Sequence, residues 1–336
     1  MQTRELGKSG IKASVVGFGA WAIGGWMWGG ADRMAAVRAI QAAIDHGTTL
    51  IDTAPIYGFG TSEEIVGEAI RGRRNRVILA TKCGLVWHVT KGDHFFDSDD
   101  ASPTKINPTR NVFRYLGPES IRYEIEQSLR RLKTEYIDLY QTHWQESATP
   151  IPETMEELLA LKKEGKIRAI GVSNVTVAQL DTYRSAGPVD SDQEKYSMLD
   201  RGHEADLLPY CAKHGLAFLA YSPLAQGLLT GKLGPDRVFR PGDQRHNNPR
   251  FSGENLRRIT GFLKELEPIA SDHGATISQI VLAWTLSQPG CSHVLAGART
   301  PEQAIENAGA GELVLAGDEL KAISAALGRY ESGAAA

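Results

Sequence analysis

Three short stretches place groups able to move a proton at the ends of apolar runs. Ile51-Asp52-Thr53-Ala54-Pro55-Ile56-Tyr57-Gly58 ends one run in a carboxylate and then reaches a tyrosine, Ala80-Thr81-Lys82-Cys83-Gly84 ends a second in a lysine, and Gln141-Thr142-His143-Trp144 ends a third in a histidine. A phenol titrating near ~10 and an amine near ~10.4 are poor proton donors at neutral pH on their own. A cationic Lys82 beside Tyr57 favours the phenolate and lowers that value, and Asp52 keeps the ammonium charged and fixed. His143, donating a hydrogen bond, orients and polarises a carbonyl oxygen. Together the four suit proton transfer to a carbonyl. Singly, each is ordinary: an aspartate at a strand end caps a turn, a lysine is solvated, a histidine is structural. The chemistry therefore depends on three runs that lie side by side.

The chain supplies such neighbours by alternating strand and helix patterns. Apolar strand signals fall at 15–19, 49–53, 77–82, 137–142, 168–172, 188–193, 216–220 and 293–296. Helical spacing falls between them, at 32–46 (Asp32 as N-cap, Gly47 as stop), 62–71, 118–132, 152–165, 176–186, 203–214, 254–271, 277–288 and 301–308. Eight alternations favour a closed (β/α)8 TIM barrel over a six-stranded open sheet, and the carboxyl ends of barrel strands carry the chemistry. The expected organisation is one domain over 1–336: an N-terminal β-hairpin within 3–16, a barrel over 17–310 and a C-terminal helix at 317–328. Two long loops, 85–117 and 222–253, follow strands and so lie on the same face. The first holds Trp87, His88, His94, Phe95, Phe96 and the cluster Asp97-Ser98-Asp99-Asp100; the second is rich in proline and glycine.

Composition narrows the partners. A net charge of -3 gives no basic excess for nucleic acid. No run of eighteen or more apolar residues and no apolar leader occurs, which points away from a membrane and toward the cytoplasm. Cys83, Cys211 and Cys291 are odd in number and far apart, which fits neither a disulfide framework nor a zinc site, and no metal is expected. Oligomeric state is not legible.

The same motifs carry a resemblance along the whole chain. The hairpin start, the 51–58 stretch, Thr81-Lys82, Gln141-Thr142-His143-Trp144, Gly171-Val172-Ser173-Asn174, Ala220-Tyr221-Ser222-Pro223-Leu224 and Glu306-Asn307 together resemble the aldo-keto reductase superfamily. Gly19-Ala20-Trp21-Ala22-Ile23-Gly24-Gly25-Trp26 and the His143-Trp144 pair look like bacterial members acting on small aldehydes and polyols, glyceraldehyde and glycerol among them. The resemblance implies NADP-dependent carbonyl reduction, with NAD the lesser alternative, Tyr57 as proton donor, Lys82 and Asp52 tuning it, and His143 orienting the substrate.

For the cofactor, the resemblance implies that Ser173, Asn174 and Gln193 hold the nicotinamide carboxamide and that Tyr221 stacks on its ring; Asn174 could instead cap the helix at 176–186. Backbone amides around Ser222, Leu224, Gln226, Gly227 and Leu228 suit the phosphates. Gly297-Ala298-Arg299-Thr300-Pro301-Glu302-Gln303 suits the adenosine end, with Thr300 as N-cap, Pro301 at N1, Gln303 completing a capping box and Arg299 on a 2′-phosphate. Gly19, Ala20, Trp21, Asp52, Glu306 and Asn307 complete the implied groove. Better-known members place a lysine near Gly297 and an arginine near Gln303, which this chain lacks.

Gly17-Phe18-Gly19-Ala20-Trp21-Ala22 also fits the G-x-G-x-x-A dinucleotide fingerprint. That fingerprint needs a helix at once, whereas Gly24-Gly25-Trp26-Met27-Trp28-Gly29-Gly30 follows, so it is rejected. Trp21, Trp26, Trp87 and Trp144, with Trp28 beside them, are candidates for an aromatic substrate pocket. Rival readings are a cofactor-binding regulatory subunit on the same barrel and a Schiff-base lyase with Lys82 as nucleophile; Asp52, by keeping Lys82 charged, weighs against the lyase.

Overall fold

The computed structural model describes residues 1–98 and 109–333, so Asp99, Asp100 and the Ala334-Ala335-Ala336 tail lie outside the described residues. Eight parallel strands close into a barrel: β1 (Val16–Gly19), β2 (Leu50–Asp52), β3 (Ile78–Cys83), β4 (Ile137–Thr142), β5 (Ile167–Ser173), β6 (Ser191–Lys195), β7 (Ala217–Tyr221) and β8 (Cys291–Gly297). Each pairs with the next in sequence, and β8 pairs with β1. The register sets Asp52 opposite Ala80 and Lys82 opposite Gln141, so the carboxylate, the lysine and the amide emerge at neighbouring levels.

Between the strands run α1 (Arg33–Asp45), α2 (Thr61–Ala69), α3 (Pro118–Leu132), α4 (Ile151–Lys163), α5 (Val177–Ala186), α6 (Leu207–His214), α7 (Ile277–Ser287) and α8 (Pro301–Gly309). Their starts follow capping chemistry: the Asp32 side chain accepts from Ala35 N, and Thr176 and Thr276 form capping boxes with Gln179 and Gln279. The C-terminal helix, Gly317–Glu331, buries Ile323, Ala326 and Leu327.

The hairpin, Thr3–Glu5 paired with Lys12–Ser14, closes the amino-terminal end of the barrel. Leu6, Ile11 and Ala13 belong to the same buried cluster as the interior residues Leu50, Ala80, Leu139, Ala169, Leu219 and Leu295. A polar mouth at the other end is thus the open one.

Four elements differ from the sequence reading; one is the helix expected at 203–214, which starts at Leu207 after a 3-10 turn at Gly202–Glu204. The loop 85–117 contains a three-stranded antiparallel sheet of Leu85–Val86, Arg110–Arg114 and Asp93–Ser98. The helical stretch 254–271 is two helices, Gly253–Lys264 and Glu267–Asp272, broken where Pro268 takes the first turn of the second. The strand expected at 188–193 begins only at Ser191, because Pro188 has no N–H for a ladder and the Asp190 carboxylate caps Ile170 N at 3.0 Å.

Gly7 and Gly10 of the hairpin turn both have positive φ, +59° and +75°, but a Cβ on Gly7 would fall 2.0 Å from Asp190 O whereas one on Gly10 meets nothing within 4 Å. Gly10→Ala is expected to cost the ~1–2 kcal/mol of a left-handed alanine, and Gly7→Ala clearly more. Urea unfolding of the two variants checks the ranking, and equal losses contradict the close approach of Gly7 to Asp190.

Candidate functional site

Side chains on β3 alternate: Leu79 and Cys83 belong to the layer under the helices and Ala80 to the barrel interior, so Lys82 points inward at the open end. Lys82 is 1% exposed. Its Nζ donates to Asp52 Oδ1 at 2.6 Å, to Thr53 O at 3.0 Å and to the Tyr57 hydroxyl at 3.3 Å. The other Asp52 oxygen accepts from Gln141 Nε2 at 3.2 Å and Gln193 Nε2 at 3.0 Å. Burying either charge alone costs several kcal/mol; the pair is tolerated because each ion is matched and its remaining donors or acceptors are used.

The turn after β2 carries Tyr57 back over the lysine. It is held by a close backbone crossing: a Cβ on Gly58 would lie 2.2 Å from Gly24 O, and one on Gly24 would lie 2.7 Å from Tyr57 C and O. Only glycines permit this approach. His143, just past β4 and 8% exposed, sets its ring edge-on to Tyr57 with centroids 5.8 Å apart. Asp52, Tyr57, Lys82 and His143 are thus one contact cluster.

The electrostatics correct one expectation. Tyr57 is pushed well above the usual phenol value, by burial first and by the Asp52 charge second. The ammonium of Lys82 does not bring the phenol below its usual value, because burial and the Asp52 carboxylate beside that ammonium outweigh it. Lys82 is itself lowered by burial, with Asp52 and then Glu63 holding the charge on it. Since the Tyr57 oxygen accepts from Lys82, the phenol proton is left to be given elsewhere. Burial, and then Lys82, hold His143 well below the ordinary histidine value, so its ring is neutral.

From Tyr57 a cavity of about 410 Å³ runs across the barrel mouth to α8. Gly19, Ala20, Trp21, Asp52, Gln193, Tyr221, Ser222, Leu224, Gln226, Gly227, Gly297, Arg299, Gln303, Glu306 and Asn307 all line it. After β1 come a 3-10 turn, Ala22–Gly24, and a loop, with α1 starting only at Arg33. The glycine fingerprint therefore opens no helix.

Asn174 does not cap α5, since Thr176 does. Asn174 sits at φ 56° and joins strands: its Nδ2 donates to His143 O at 2.9 Å and Ser173 Oγ at 3.0 Å, and its Oδ1 accepts from the Tyr221 hydroxyl at 2.9 Å. Ser173 and Asn174 are not among the residues that line this cavity, although Asn174 meets it through the Tyr221 hydroxyl, and Leu228 is buried in the core at 2% exposure. Thr300 caps α8 and Pro301 opens it, but the capping box is not completed: Gln303 Oε1 accepts from Arg299 N at 2.8 Å. The Arg299 guanidinium donates to Trp28 O and Gly30 O, which ties β8 to the loop after β1.

The four tryptophans fall into two groups joined at Tyr57, whose ring lies 6.2 Å from that of Trp21. Trp21 is on the cavity side, edge-on to Trp28 at 5.3 Å. Trp26, Trp87 and Trp144 pack in a separate cluster with Phe59 and Phe96, and Tyr57 touches that cluster too. Phe96 stacks on Trp26 at 5.5 Å and Phe95 lies on Trp144 at 5.5 Å, so the three-stranded sheet forms this wall.

Sequence reasoning missed the cations of the second long loop. Lys232, Arg237 and Arg245 line the cavity, Lys232 paired with Glu306 and Arg245 with Asp243. Gln244 N donates to Met27 O at 2.9 Å, pinning this loop across the groove. Scattered basic residues in an aperiodic loop carried no signal. The groove suits a dinucleotide: four cationic side chains offset phosphates, Ser222, Ala225, Gln226 and Gly227 share positive φ values, and buried Trp28 Nε1 and Glu306 Oε1 have no partner of their own.

A neutral His143 implies no acid limb near pH ~6.5 in the kcat/KM of carbonyl turnover. A pH titration checks this, and a limb there that vanishes in His143→Gln contradicts it.

Residues 15–327 match the aldo/keto reductase family. An Escherichia coli protein named NADH-specific methylglyoxal reductase is 43% identical over 92% of this chain and 93% of its own length. The glycerol dehydrogenase AKR11B4 of Gluconobacter oxydans superposes with a TM-score of 0.85 at 41% identity, covering 98% of this chain and 95% of that one. A Klebsiella pneumoniae aldo/keto reductase in complex with NADP and acetate superposes with a TM-score of 0.72 at 31% identity, over 97% and 95% of the two chains. By sequence match, barrel and site geometry, the chain belongs to the aldo/keto reductase family.

Proposed function

We propose that this oxidoreductase interconverts small aldehydes and the corresponding alcohols with NADP, on a site made of Tyr57, Lys82, Asp52 and His143. The observation that carries the reading is Lys82 in contact with both Asp52 and Tyr57 at the end of a groove lined by four cationic side chains. A bound nicotinamide dinucleotide supplies the hydride that goes to the carbonyl carbon. Tyr57 gives its proton to the carbonyl oxygen, and Lys82, kept charged by Asp52, stabilises the phenolate left behind. Neutral His143 donates a hydrogen bond to the same oxygen and orients the substrate. Alcohol oxidation uses the same groups in reverse.

The names of the relatives, a methylglyoxal reductase and a glycerol dehydrogenase, support a short polyol or aldehyde as substrate. The three cysteines are free and buried, which suits a reducing compartment such as the cytoplasm. Among the described residues no helix is long and apolar enough to cross a membrane. The three donor contacts on Lys82 Nζ tie up the amine and weigh against a Schiff base.

NADP is favoured by the cationic groove and by the Klebsiella complex. NAD is the second reading, supported by the name of the Escherichia coli relative and by the two carbonyls that already occupy Arg299.

Tyr57→Phe is expected to cut turnover by ~10²–10⁴-fold while leaving cofactor affinity near wild type; steady-state kinetics and fluorescence titration check it, and near wild-type turnover sinks the assignment. Arg299→Ala is expected to weaken NADP far more than NAD. Equal losses for the two would show that Arg299 does not read the 2′-phosphate.

A further inference from the structure

Two fully enclosed carboxyl groups lie behind β3, on the side away from the groove. Glu63 of α2 is 0% exposed; its Oε1 accepts from Thr81 Oγ1 at 2.7 Å and its Oε2 from Arg131 Nε of α3 at 2.6 Å. Glu124 of α3 is 5% exposed; its Oε2 accepts from Gly84 N at 2.9 Å and its Oε1 from Ser120 Oγ at 3.3 Å. One acid therefore grips the residue before Lys82, and the other grips the backbone just after Cys83.

The packing makes this arrangement specific. A Cβ on Gly67 of α2 would lie 2.6 Å from Arg131 O, so a glycine is what lets α2 approach α3 and join Glu63 to Arg131. Gly84 has φ +93°, and a Cβ there would lie 2.4 Å from Leu116 Cδ2, so the strand must turn at that glycine and present its N–H to Glu124. Neither acid reaches the groove, so neither serves substrate or cofactor.

We propose that Glu63 and Glu124 are positioning residues that fix Lys82 between Asp52 and Tyr57 from outside the barrel, Glu63 doing so as half of a buried ion pair whose loss leaves Arg131 unmatched near the ammonium. This rests on the proposed role of Lys82. The charged and titratable groups around Lys82 are Asp52 on β2, Tyr57 on the following turn, His143 after β4 and Glu63 on α2. Those around Glu124 are Glu63, Arg131, Cys83 and Tyr140, and burial pushes Glu124 up to about 8.

The test measures kcat, aldehyde KM, cofactor Kd and the pH profile of kcat in Glu63→Gln, Thr81→Val, Glu124→Leu and Glu124→Gln. Glu63→Gln keeps an acceptor for Thr81 but drops the charge: kcat is expected to fall about tenfold, the alkaline limb to move to lower pH, and cofactor Kd to stay within about twofold. Thr81→Val keeps the charge and drops the contact, so kcat falls while the limb stays. Glu124→Leu loses kcat, and Glu124→Gln, which keeps an acceptor for Gly84 N–H, restores it. A Glu63→Gln protein with wild-type kcat and an unmoved limb overturns the proposal, as does a kcat loss matched in every variant by loss of cofactor binding. If Tyr57→Phe is inactive while Glu63→Gln behaves as wild type, only the positioning role falls; if Tyr57→Phe is active, the reading of the whole site falls.

Discussion

The site depends on one costly interaction, an ammonium and a carboxylate held 2.6 Å apart with almost no solvent contact. Water would solvate both ions far better than a barrel interior does, so the fold must satisfy every other donor and acceptor they carry. It does so with elements from around the ring: Gln141 from β4 and Gln193 from β6 on the aspartate, Thr53 O and Tyr57 on the lysine. A polar network of this kind penalises any partly formed version of itself. The strand register and the glycine crossing beside Tyr57 are both parts of that satisfaction.

How much of this was legible follows from what leaves a periodic mark. Strands that begin in an apolar run, such as 77–82, and helices with caps, such as Asp32 and Thr300, are encoded locally and are legible to within a residue or two. Because the strands alternate with helices, their carboxyl ends share one face, and the pattern alone groups Asp52, Lys82 and His143. The start of β6 is not a matter of periodicity: Pro188 and the Asp190 cap on Ile170 N of β5 decide it. The three-stranded sheet was hidden by polar and aromatic residues that pair only in three dimensions.

Charge balance was the least legible property. Residue types alone pair Lys82 with Asp52 and predict a lowered phenol; in the fold, burial and the Asp52 charge outweigh the ammonium and the phenol is raised. Capping was similar, with Gln303 serving Arg299 N rather than Thr300 N. The cations of the groove, Lys232, Arg237 and Arg245, gain meaning only because the loop after β7 is drawn across to the loop after β1.

The antiparallel sheet that walls the mouth makes its ladder bonds within itself and meets the barrel through side chains: Asp93 to Ser147, Phe95 to Trp144 and Phe96 to Trp26. None of those contacts touches the Lys82–Asp52 pair. The wall is therefore a module in the engineering sense. Its outline can change, and with it the shape of the mouth, without touching the buried ion pair, and Tyr57 is where the two meet.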